Sequence, residues 1–584
     1  MTVNFDRLIN AQNEPQNWLM MNGDYGATRY SKLSQINRDN VKNLRMVWAL
    51  ALGGMQDVGQ NGPENEVNPL IDNGFMYTND GWGTIYKIDA RDPAKGSFAW
   101  IADPGVKHQG NPPRTRGIAL WEDLVIGGLP DGRVIAVNRD SGEIVWDKAI
   151  AKTDEFGNRE RFFAAPITAD GKVIIANGAG DGKTRGWIAA LDARTGNELW
   201  RWYAIPKPGD PGSETWKDKN SAWKTGGAGL WQTGSYDPAT RLTIWGTGNP
   251  IPQYDPQARP GDNLYTNTAV ALNIDTGKLA WYFQYTPNDS WDYDEVGIHM
   301  LYDTLIDGQM RKVVGHFARN GFYYTLDRTN GKFIKGTQYV NDLNWTKGLN
   351  PKTGLPVEYD PKLDVQVYNP AARALRGDGT KRTCPTWHGG IAHQPTAYNP
   401  VKNIAYGVGI EGCFSSNGAA VAFLSANGGI DDKKSEKRTY SSDLYYGAVT
   451  AFDTVKHKAR LYRAAGWMGG RLQRRHARGA LALQRRHGAQ RRARHLRGRD
   501  QTVPRGAGGR PAPASGEVRW LPGCELHIRV RAELIGIYGS CRHTSSSPPQ
   551  NWTHLAWSIG PWPTMRTSRK STIRSISRGC SVAG

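Results

Sequence analysis

A turn motif that recurs roughly every fifty residues is the feature that most restricts how this chain can fold. Each copy has an apolar strand ending in Ala/Lys-x-Asp/Asn, then a turn with Gly, then an aromatic residue. Two full copies are Ala190–Gly196 before Trp200 and Ala271–Gly277 before Trp281. Partial copies are Lys87-Ile88-Asp89 with Trp100, Ala136-Val137-Asn138 with Trp146, Thr325-Leu326-Asp327 with Phe333, and Ala451-Phe452-Asp453.

The motif predicts a hairpin for a physical reason. Asp caps the turn, and Gly takes the positive φ that the turn needs. The Trp after each hairpin is expected to pack between neighbouring sheets. Hairpin units at this spacing predict a β-propeller with about four strands per blade. The alternative is a large β-sandwich of independent hairpins. The 22 Trp, 24 Tyr and 69 Gly of the 584 residues fit either all-β architecture.

The net charge of +20 is confined to one end of the chain. Residues 461–584 contain 22 Arg, one Lys and four acidic residues, a net charge of +19, which leaves +1 for residues 1–460. We therefore divide the chain into a propeller domain at 1–460, which is incomplete, and an Arg-rich tail at 461–584. The tail contains no copy of the hairpin motif.

Three interpretations of the tail remain open. Clustered Arg is typical of an arm that binds RNA or DNA by neutralising phosphates. It is also typical of a solvated, disordered tail. A GC-rich gene read in a shifted frame would give Arg, Ala, Gly and Pro with almost no Lys. The shifted frame fits the composition best, and it predicts that the last blades are missing, with open sheet edges.

Several classes are disfavoured by the sequence. No apolar run approaches about 20 residues, so no transmembrane segment is expected. The first residues lack a secretory signal, which leaves a cytoplasmic protein, a mature form or a truncated sequence. The five Cys have no close pair, which argues against a disulfide framework, a zinc site and haem attached through CxxCH.

A second distinctive pattern precedes the first hairpin. It reads Asn17-Trp18, then Gly26-x-x-Arg29-Tyr30-Ser31-x-Leu33-x-Gln35-Ile36-Asn37, then Val41, Leu44 and Trp48. Together with the hairpin-Trp repeats, this segment resembles the opening of soluble quinoprotein alcohol dehydrogenases of the methanol/ethanol type. The resemblance runs from about residue 16 to about residue 455. It implies an eight-bladed propeller that binds pyrroloquinoline quinone (PQQ) and one metal ion at its centre.

The strongest local match is Trp291-Asp292-Tyr293-Asp294. In the family, the Asp after this Trp removes the alcohol proton while hydride moves to the quinone, which implies that Asp292 is the catalytic base. A carboxylate beside a cation stays ionised and can accept a proton at a defined distance. The alternative interpretation is that both Asp residues only cap a turn.

The resemblance also implies a set of metal ligands. Asn249 lies in Gly246-Thr247-Gly248-Asn249-Pro250, and Asp181 stands where the family has a ligating Glu. With Asp292 they form the expected ligand set. Family members that use a lanthanide have a second Asp at the position of Asp294, where calcium users have a small residue. A more highly charged ion that prefers oxygen needs more negative ligands, so Asp294 favours a lanthanide over calcium.

Four residues match positions that contact the quinone in the family. Trp231 corresponds to the indole that stacks beneath the quinone ring. Arg319 corresponds to the Arg that hydrogen bonds the quinone oxygens as charge develops on them. Glu66 and Arg116 match contacts with the cofactor's polar edge and carboxylates, for which the planar guanidinium is well suited.

Other family positions are altered. The adjacent Cys pair that covers the cofactor's upper face falls at Gly110-Asn111. A cofactor-binding Thr and Ser align with Phe163 and Gly178, and an Asn-Trp pair aligns with Ala392-His393. The chain is therefore either a divergent branch with another substrate or a protein with impaired cofactor binding.

The resemblance implies an oxidoreductase that transfers hydride from an alcohol to metal-bound PQQ and passes electrons to a separate cytochrome c in the periplasm. It leaves the alcohol and the subunit composition open, with a homodimer as one possibility. Two alternatives come from other classes. One is a cofactor-free propeller scaffold, which would scramble the site residues, and the other is a nucleic-acid-binding protein that acts through the tail.

Overall fold

Short antiparallel sheets that follow one another along the chain form most of the structure, which is a computed structural model. It describes residues 2–53, 64–107, 114–219, 221–417, 441–442 and 446–463, and the backbone of 524–531 and 534–541. In chain order the strands are β1 (Glu64–Asn65), β2 (Leu70–Asp72), β3 (Phe75–Asn79), β4 (Ile85–Asp89), β5 (Ser97–Ala102), β6 (Arg114–Thr115), β7 (Ala119–Trp121), β8 (Leu124–Gly128), β9 (Arg133–Asn138), β10 (Ile144–Ala149), β11 (Ile167–Ala169), β12 (Lys172–Ala176), β13 (Trp187–Asp192), β14 (Glu198–Tyr203), β15 (Ser235–Asp237), β16 (Leu242–Gly246), β17 (Thr268–Asn273), β18 (Leu279–Gln284), β19 (Met300–Ile306), β20 (Gln309–Phe317), β21 (Phe322–Asp327), β22 (Phe333–Gln338), β23 (Lys381–Thr383), β24 (Ala397–Asn399), β25 (Ile404–Glu411), β26 (Phe414–Ser416), β27 (Ser441–Ser442), β28 (Tyr446–Asp453), β29 (Lys458–Arg463), β30 (Cys524–Arg531) and β31 (Leu534–Cys541).

Six sheets have four antiparallel strands each. Sheets 1 to 5 are β2–β5, β7–β10, β11–β14, β15–β18 and β19–β22, each in chain order. Sheet 6 is β24-β25-β28-β29. Smaller pairings are β1 with β6 in parallel, and β23-β26-β27. This succession of four-stranded meanders confirms the predicted all-β, propeller-type fold. The count of eight blades stays a prediction, since six such sheets lie in the described part of the chain.

The predicted turn chemistry is confirmed in the full copies of the motif. Asp192 accepts hydrogen bonds at Oδ1 from the backbone of Arg194 and Thr195, and Gly196 has φ +70°. The Trp residues also pack as predicted, each against the turn Gly of the next sheet. A Cβ at Gly196 would lie 2.6 Å from the Trp146 ring, so only Gly permits this approach. Equivalent contacts are Trp100 on Gly142, Trp200 on Gly277 and Trp281 on Gly331.

Helical structure in the described residues is short. It comprises α1 (Phe5–Ile9) and the 3-10 helices Ala11–Asn13, Val41–Asn43, Gly180–Gly182, Ser213–Thr215, Ala222–Thr225 and Pro256–Ala258. Among the described residues, none of these helices has the length and apolar character needed to cross a bilayer.

The chain separates into two compact units. One contains Met1–Asn43 and Leu52–Gly498, and includes all six four-stranded sheets. The other contains Leu44–Ala51 and Arg499–Gly584, in which β30 and β31 form an antiparallel hairpin. Most of the predicted tail lies outside the described residues, so the boundary at 460 and the nature of the tail stay predictions. The last strand of sheet 6 ends at Arg463.

One sequence prediction about cysteine is wrong. Cys384 and Cys413 form a disulfide, although they lie 29 residues apart. Their backbones meet because β23 pairs with β26, which places Thr383 opposite Phe414 and brings the next residue of one strand beside the preceding residue of the other. Spacing along the chain could not reveal this, since a non-local strand pairing sets the distance.

Candidate functional site

Every predicted site residue lies in a connection at the same end of its sheet. In a four-stranded meander, the link between the second and third strands and the link to the next sheet share one end, opposite the Gly turns. Asp181, Asn249 and Arg319 follow the second strands β12, β16 and β20. The remaining residues lie in links before or between sheets, and they are Glu66, Arg116, Trp231, Asp292 and Asp294. The strand order thus gathers these polar side chains at one end of the sheets.

Arg319 forms the centre of a buried charge cluster. Its Nη2 lies 3.3 Å from Asp294 Oδ2, and its Nη1 lies 3.9 Å from Asp292 Oδ2 and donates to the Asp292 backbone oxygen. Asp292 and Asp294 are 7% and 5% exposed, so water screens their carboxylates little. Asp292 has φ +64°, in the left-handed region that Asp tolerates better than most residues and that often marks functional sites.

The carboxylates outnumber the cations in this cluster. Burial, and then the charge of Asp294, raise the pKa of Asp292 well above its ordinary range, although Arg319 opposes the shift. Burial raises the pKa of Asp294 to about 7. Burial also raises the pKa of Asp181. A bound cation would favour the ionised form of all three carboxylates.

The predicted metal ligands surround this cluster. Asn249 donates its backbone N–H to Asp294 Oδ1 at 2.6 Å, and Gln253 Nε2 donates to Asp181 Oδ1 at 2.8 Å. Arg319 and the Asn249 side chain both act to lower the pKa of Asp181, which places all of these groups in one neighbourhood. In the described part of the chain, no three Asp, Glu, His or Cys side chains converge as ligands of one ion. The ligand set therefore stays a prediction.

Trp231 connects this acidic cluster to a basic one. The guanidinium carbons of Arg319 and Arg116 lie 5.9 Å and 4.9 Å from the centre of the indole. Arg116 Nη2 lies 3.0 Å from Glu66 Oε2. Both arginines are almost fully buried, whereas the indole is half-buried. The structure thus brings all eight predicted site residues into one continuous group.

Two of the altered family positions compensate for each other. A Cβ at Gly178 would lie 2.6 Å from the Phe163 ring and 3.1 Å from Trp231 Cβ. Phe163 therefore occupies space that Gly178 leaves free, and together they pack beside the indole. We interpret the pair as a coordinated change in the wall of the site rather than a loss of it.

The third altered position also borders the indole. The His393 ring lies 5.7 Å from Trp231 in an edge-on orientation, and Gln232 Nε2 donates to its backbone oxygen at 3.2 Å. Burial lowers the pKa of His393, although the charge of Glu66 opposes the shift. The remaining altered position, Gly110-Asn111, lies outside the described residues.

Sequence reasoning missed a second layer of polar residues. Tyr254 donates to Asp292 Oδ2 over 3.5 Å. Glu295 accepts from the backbone N–H of Arg319 at 3.1 Å and hydrogen bonds to His316 at 2.9 Å. Glu295 directly follows the matched Trp-Asp-Tyr-Asp motif. No local pattern indicates that its side chain bonds to His316 on β20, which lies 21 residues further along the chain.

These features define a propeller-type protein whose loops gather buried carboxylates, arginines and a half-buried indole at one end of the sheets. Residues 18–341 match the PQQ family described as glucose/ethanol/alcohol dehydrogenase, beta-propeller domain. The chain belongs to this family, as the sequence motifs predicted.

Individual relatives agree with this family. The dehydrogenase subunit of the quinone alcohol dehydrogenase of Komagataeibacter europaeus is 33% identical over 80% of this chain and 65% of its own length. The lanthanide-dependent methanol dehydrogenase of Methylacidiphilum fumariolicum is 31% identical over 78% of this chain and 74% of its own length. The crystal structure of the quinohemoprotein alcohol dehydrogenase of Comamonas testosteroni is similar with a TM-score of 0.65 and 30% identity, over 79% of this chain and 69% of that one.

The match is partial in length. The chain covers 65% of the Komagataeibacter subunit and 47% of the corresponding Gluconobacter oxydans subunit. Similarity to these relatives alone therefore does not establish the activity, the substrate or the partners of this chain.

Proposed function

We propose that this protein is a PQQ-dependent dehydrogenase that oxidises an alcohol by hydride transfer. The observation that carries the proposal is the single buried cluster in which Asp292, Arg319 and Trp231 meet. A cofactor-free scaffold has no need to keep a base, a cation and an aromatic surface together at the cost of burying charge.

The residues present fit the quinone. A half-buried indole offers a flat apolar surface for a planar ring. The pKa of His393 is lowered first by burial, and the charges of Arg116, Arg319 and Arg114 lower it further, so three cationic groups lie near this ring and could pair with the carboxylates of PQQ. When bound, PQQ accepts the hydride, which no side chain of this protein can do.

The residues also fit an oxygen-preferring cation. Asp181, Asp292 and Asp294 are buried, and burial raises the pKa of each although Arg319 acts to lower it. Carboxylate and amide oxygens are the ligands of calcium and lanthanide ions. The third carboxylate favours a lanthanide, and Asn249 would supply an amide oxygen.

Each remaining residue has a role that its contacts define. Asp292, once ionised, accepts the proton of the alcohol, and Tyr254 orients its Oδ2. Arg319 stabilises the negative charge that develops beside it and fixes the Asp292 backbone. Arg116, held by Glu66, binds a carboxylate at the edge of the indole.

The partners and the compartment follow from the family. We propose, from the resemblance to the family, that electrons leave to a separate cytochrome c. The Cys384–Cys413 disulfide supports the periplasm as the compartment, since disulfides persist where conditions are oxidising.

We further infer that the tail after Arg463, where β29 ends, does not continue the propeller, and that the ring of eight blades expected for the family is incomplete in this sequence. The 22 Arg against one Lys support a shifted reading frame. Peptide mass spectrometry of the native protein and resequencing near codon 460 test this. Absence of the Arg-rich peptides supports the shifted frame. Their presence in the native protein contradicts the shifted frame and means that the chain lacks its closing blades.

The function is tested by reconstitution. The protein is mixed with PQQ and either calcium or a lanthanide, and alcohol-dependent reduction of an artificial electron acceptor is measured across a panel of primary and secondary alcohols. Asp292→Asn is expected to reduce the rate at least about 100-fold while the quinone still binds. Lys335→Ala is the control variant, because Lys335 is not one of the predicted site residues. Equal rates in the parent and Asp292→Asn would contradict the role of Asp292.

A further inference from the structure

We propose that the Cys384–Cys413 disulfide is a positioning element of the site. It holds a segment that we call the cover segment, Cys384–Gly390, against Arg319 and Tyr293. The structural part of this inference is independent of the proposed function. Only its consequence, tighter quinone binding, rests on that function.

The cover segment is attached at both ends to one stretch of chain. Cys384 is bonded to Cys413, and Gly390 accepts a hydrogen bond from Ile410 N–H at 2.7 Å. Ile410 lies in β25, and Cys413 lies two residues after the end of this strand. The segment is therefore a short closed loop, and the disulfide is the covalent half of its attachment.

The middle of the cover segment contacts the charge cluster. Pro385 O accepts a hydrogen bond from Tyr293 Oη at 2.7 Å, and Tyr293 lies between the two aspartates of the cluster. Gly390 donates its N–H to the backbone oxygen of Arg319 at 3.0 Å. Gly389 packs so closely that a Cβ there would lie 1.8 Å from Arg319 Cγ.

These contacts fix the backbone of Arg319. The Arg319 N–H is held by Glu295 and its C=O by Gly390, while the guanidinium reaches Asp292 and Asp294. A guanidinium pairs with two carboxylates only within a narrow range of orientation. Movement of the cover segment is therefore transmitted to the guanidinium through the backbone of Arg319.

Loss of the disulfide is expected to act locally. The pairing of Thr383 with Phe414 does not require the bond. The Cys384 N–H still donates to Asn344 Oδ1 at 2.7 Å, and the Asn344 N–H still donates to the Cys384 backbone oxygen at 3.1 Å. The six sheets do not depend on this bond. The fold is thus expected to survive while the cover segment loosens.

The test compares the parent with the double variant Cys384→Ala/Cys413→Ala, without cofactor, by hydrogen exchange. The amides of Gly390 and Ile410, which bridge the cover segment, are expected to exchange about ten-fold faster or more in the variant. Amides of β13 and β14 in sheet 3 are the internal control and are expected to be unchanged. Thiol reduction should reproduce the effect in the parent and add nothing in the double variant.

Two results overturn the proposal. Unchanged exchange at Gly390 and Ile410 would show that hydrogen bonds alone hold the segment. Equally faster exchange in sheet 3 would show that the bond supports overall stability and has no positioning role. The quinone is then titrated against both proteins by quenching of tryptophan fluorescence, with about ten-fold weaker binding expected in the variant. If the parent itself binds no quinone, the proposed function fails, while the exchange data still decide the positioning role.

Discussion

The first four junctions between neighbouring sheets differ from the fifth. From sheet 1 to sheet 5, a Trp on the last strand of each sheet packs on the turn Gly of the next. At the junction of sheets 5 and 6, Lys335 occupies the Trp position, because it pairs with Thr325 as Trp281 pairs with Ala271. His457 stands four residues after Asp453, where the turns of sheets 2 to 5 have Gly, and has φ +50°.

The outer face of sheet 6 differs as well. In sheet 4, Ala269 lies four residues before the turn residue Asn273, pairs with Gly246 and Phe283, and is fully buried. In sheet 6, the equivalent Val449 pairs with Val408 and Tyr462, and these three side chains are 38%, 49% and 56% exposed. An inner sheet is covered on both faces, whereas sheet 6 presents one apolar face without cover from the described residues.

The comparison teaches that the strength of the repeat in the sequence follows its place in the fold. The full motif, with Gly and Trp, occurs where a sheet is enclosed by two neighbours. The weakest copy, at Ala451-Phe452-Asp453, occurs where one neighbour is lacking among the described residues.

The largest expected effect comes from placing a charge at the equivalent positions Ala269 and Val449. Ala269→Asp is expected to cost more than about 4 kcal/mol, enough to prevent folding, because it buries an unpaired carboxylate. Val449→Asp is expected to cost less than about 1 kcal/mol, since its side chain reaches water. Soluble yield and thermal unfolding midpoints check this. Equal damage from both would show that the face of sheet 6 is covered.

The next largest effect concerns the docking residues. Trp146→Ala is expected to destabilise the fold by about 3 kcal/mol or more, since it leaves a cavity over Gly196 and removes the bond to Ala193 O. Lys335→Ala is expected to change stability by less than about 0.5 kcal/mol. Denaturant unfolding measures both. A large loss on replacing Lys335 would mean that the fifth junction docks by another means and would contradict the comparison.

The smallest effect is a pH dependence at the fifth junction. Burial lowers the pKa of His457 to about 4 from the ordinary 6.5, so the unfolded chain binds the proton more tightly and stability falls as pH drops through this window. Lys335 and the carboxylates of Asp307 and Asp453 also act on this imidazole. His457→Asn keeps the left-handed backbone and removes the titration.

The His457→Asn variant is therefore expected to lose less stability than the parent between about pH 6.5 and about pH 4. His316, whose pKa burial lowers to about 3, keeps part of the dependence in both proteins. Thermal unfolding midpoints across the pH series give the comparison. Parallel curves for parent and variant would rule out a contribution from His457.

Local signals in the sequence predicted the repeating part of the fold. The Asp and Gly of a hairpin turn and the Trp that follows act within a few residues of one another, so Ala190–Gly196 and Trp200 could be interpreted without the structure. The site residues were predicted from their match to the motifs of the family, and the structure places their side chains close together.

Contacts between distant segments could not be predicted. The mutual packing of Phe163 and Gly178, the hydrogen bond from Glu295 to His316 and the Cys384–Cys413 bond each join segments that only the tertiary fold brings together. Each residue type occurs in many other roles, and pairing it with its partner requires the strand register, which a single sequence does not provide.

The central claim is that this chain binds PQQ at Trp231. Titration of PQQ into the protein in the presence of calcium or a lanthanide, followed by calorimetry, tests it most directly. We predict saturable binding at one site per chain that needs the metal ion and is weakened about 100-fold or more by Trp231→Ala or Arg319→Ala, and that is unaffected by the surface change Val449→Thr. Absence of saturable binding, or binding that these site variants leave unchanged, would contradict the account.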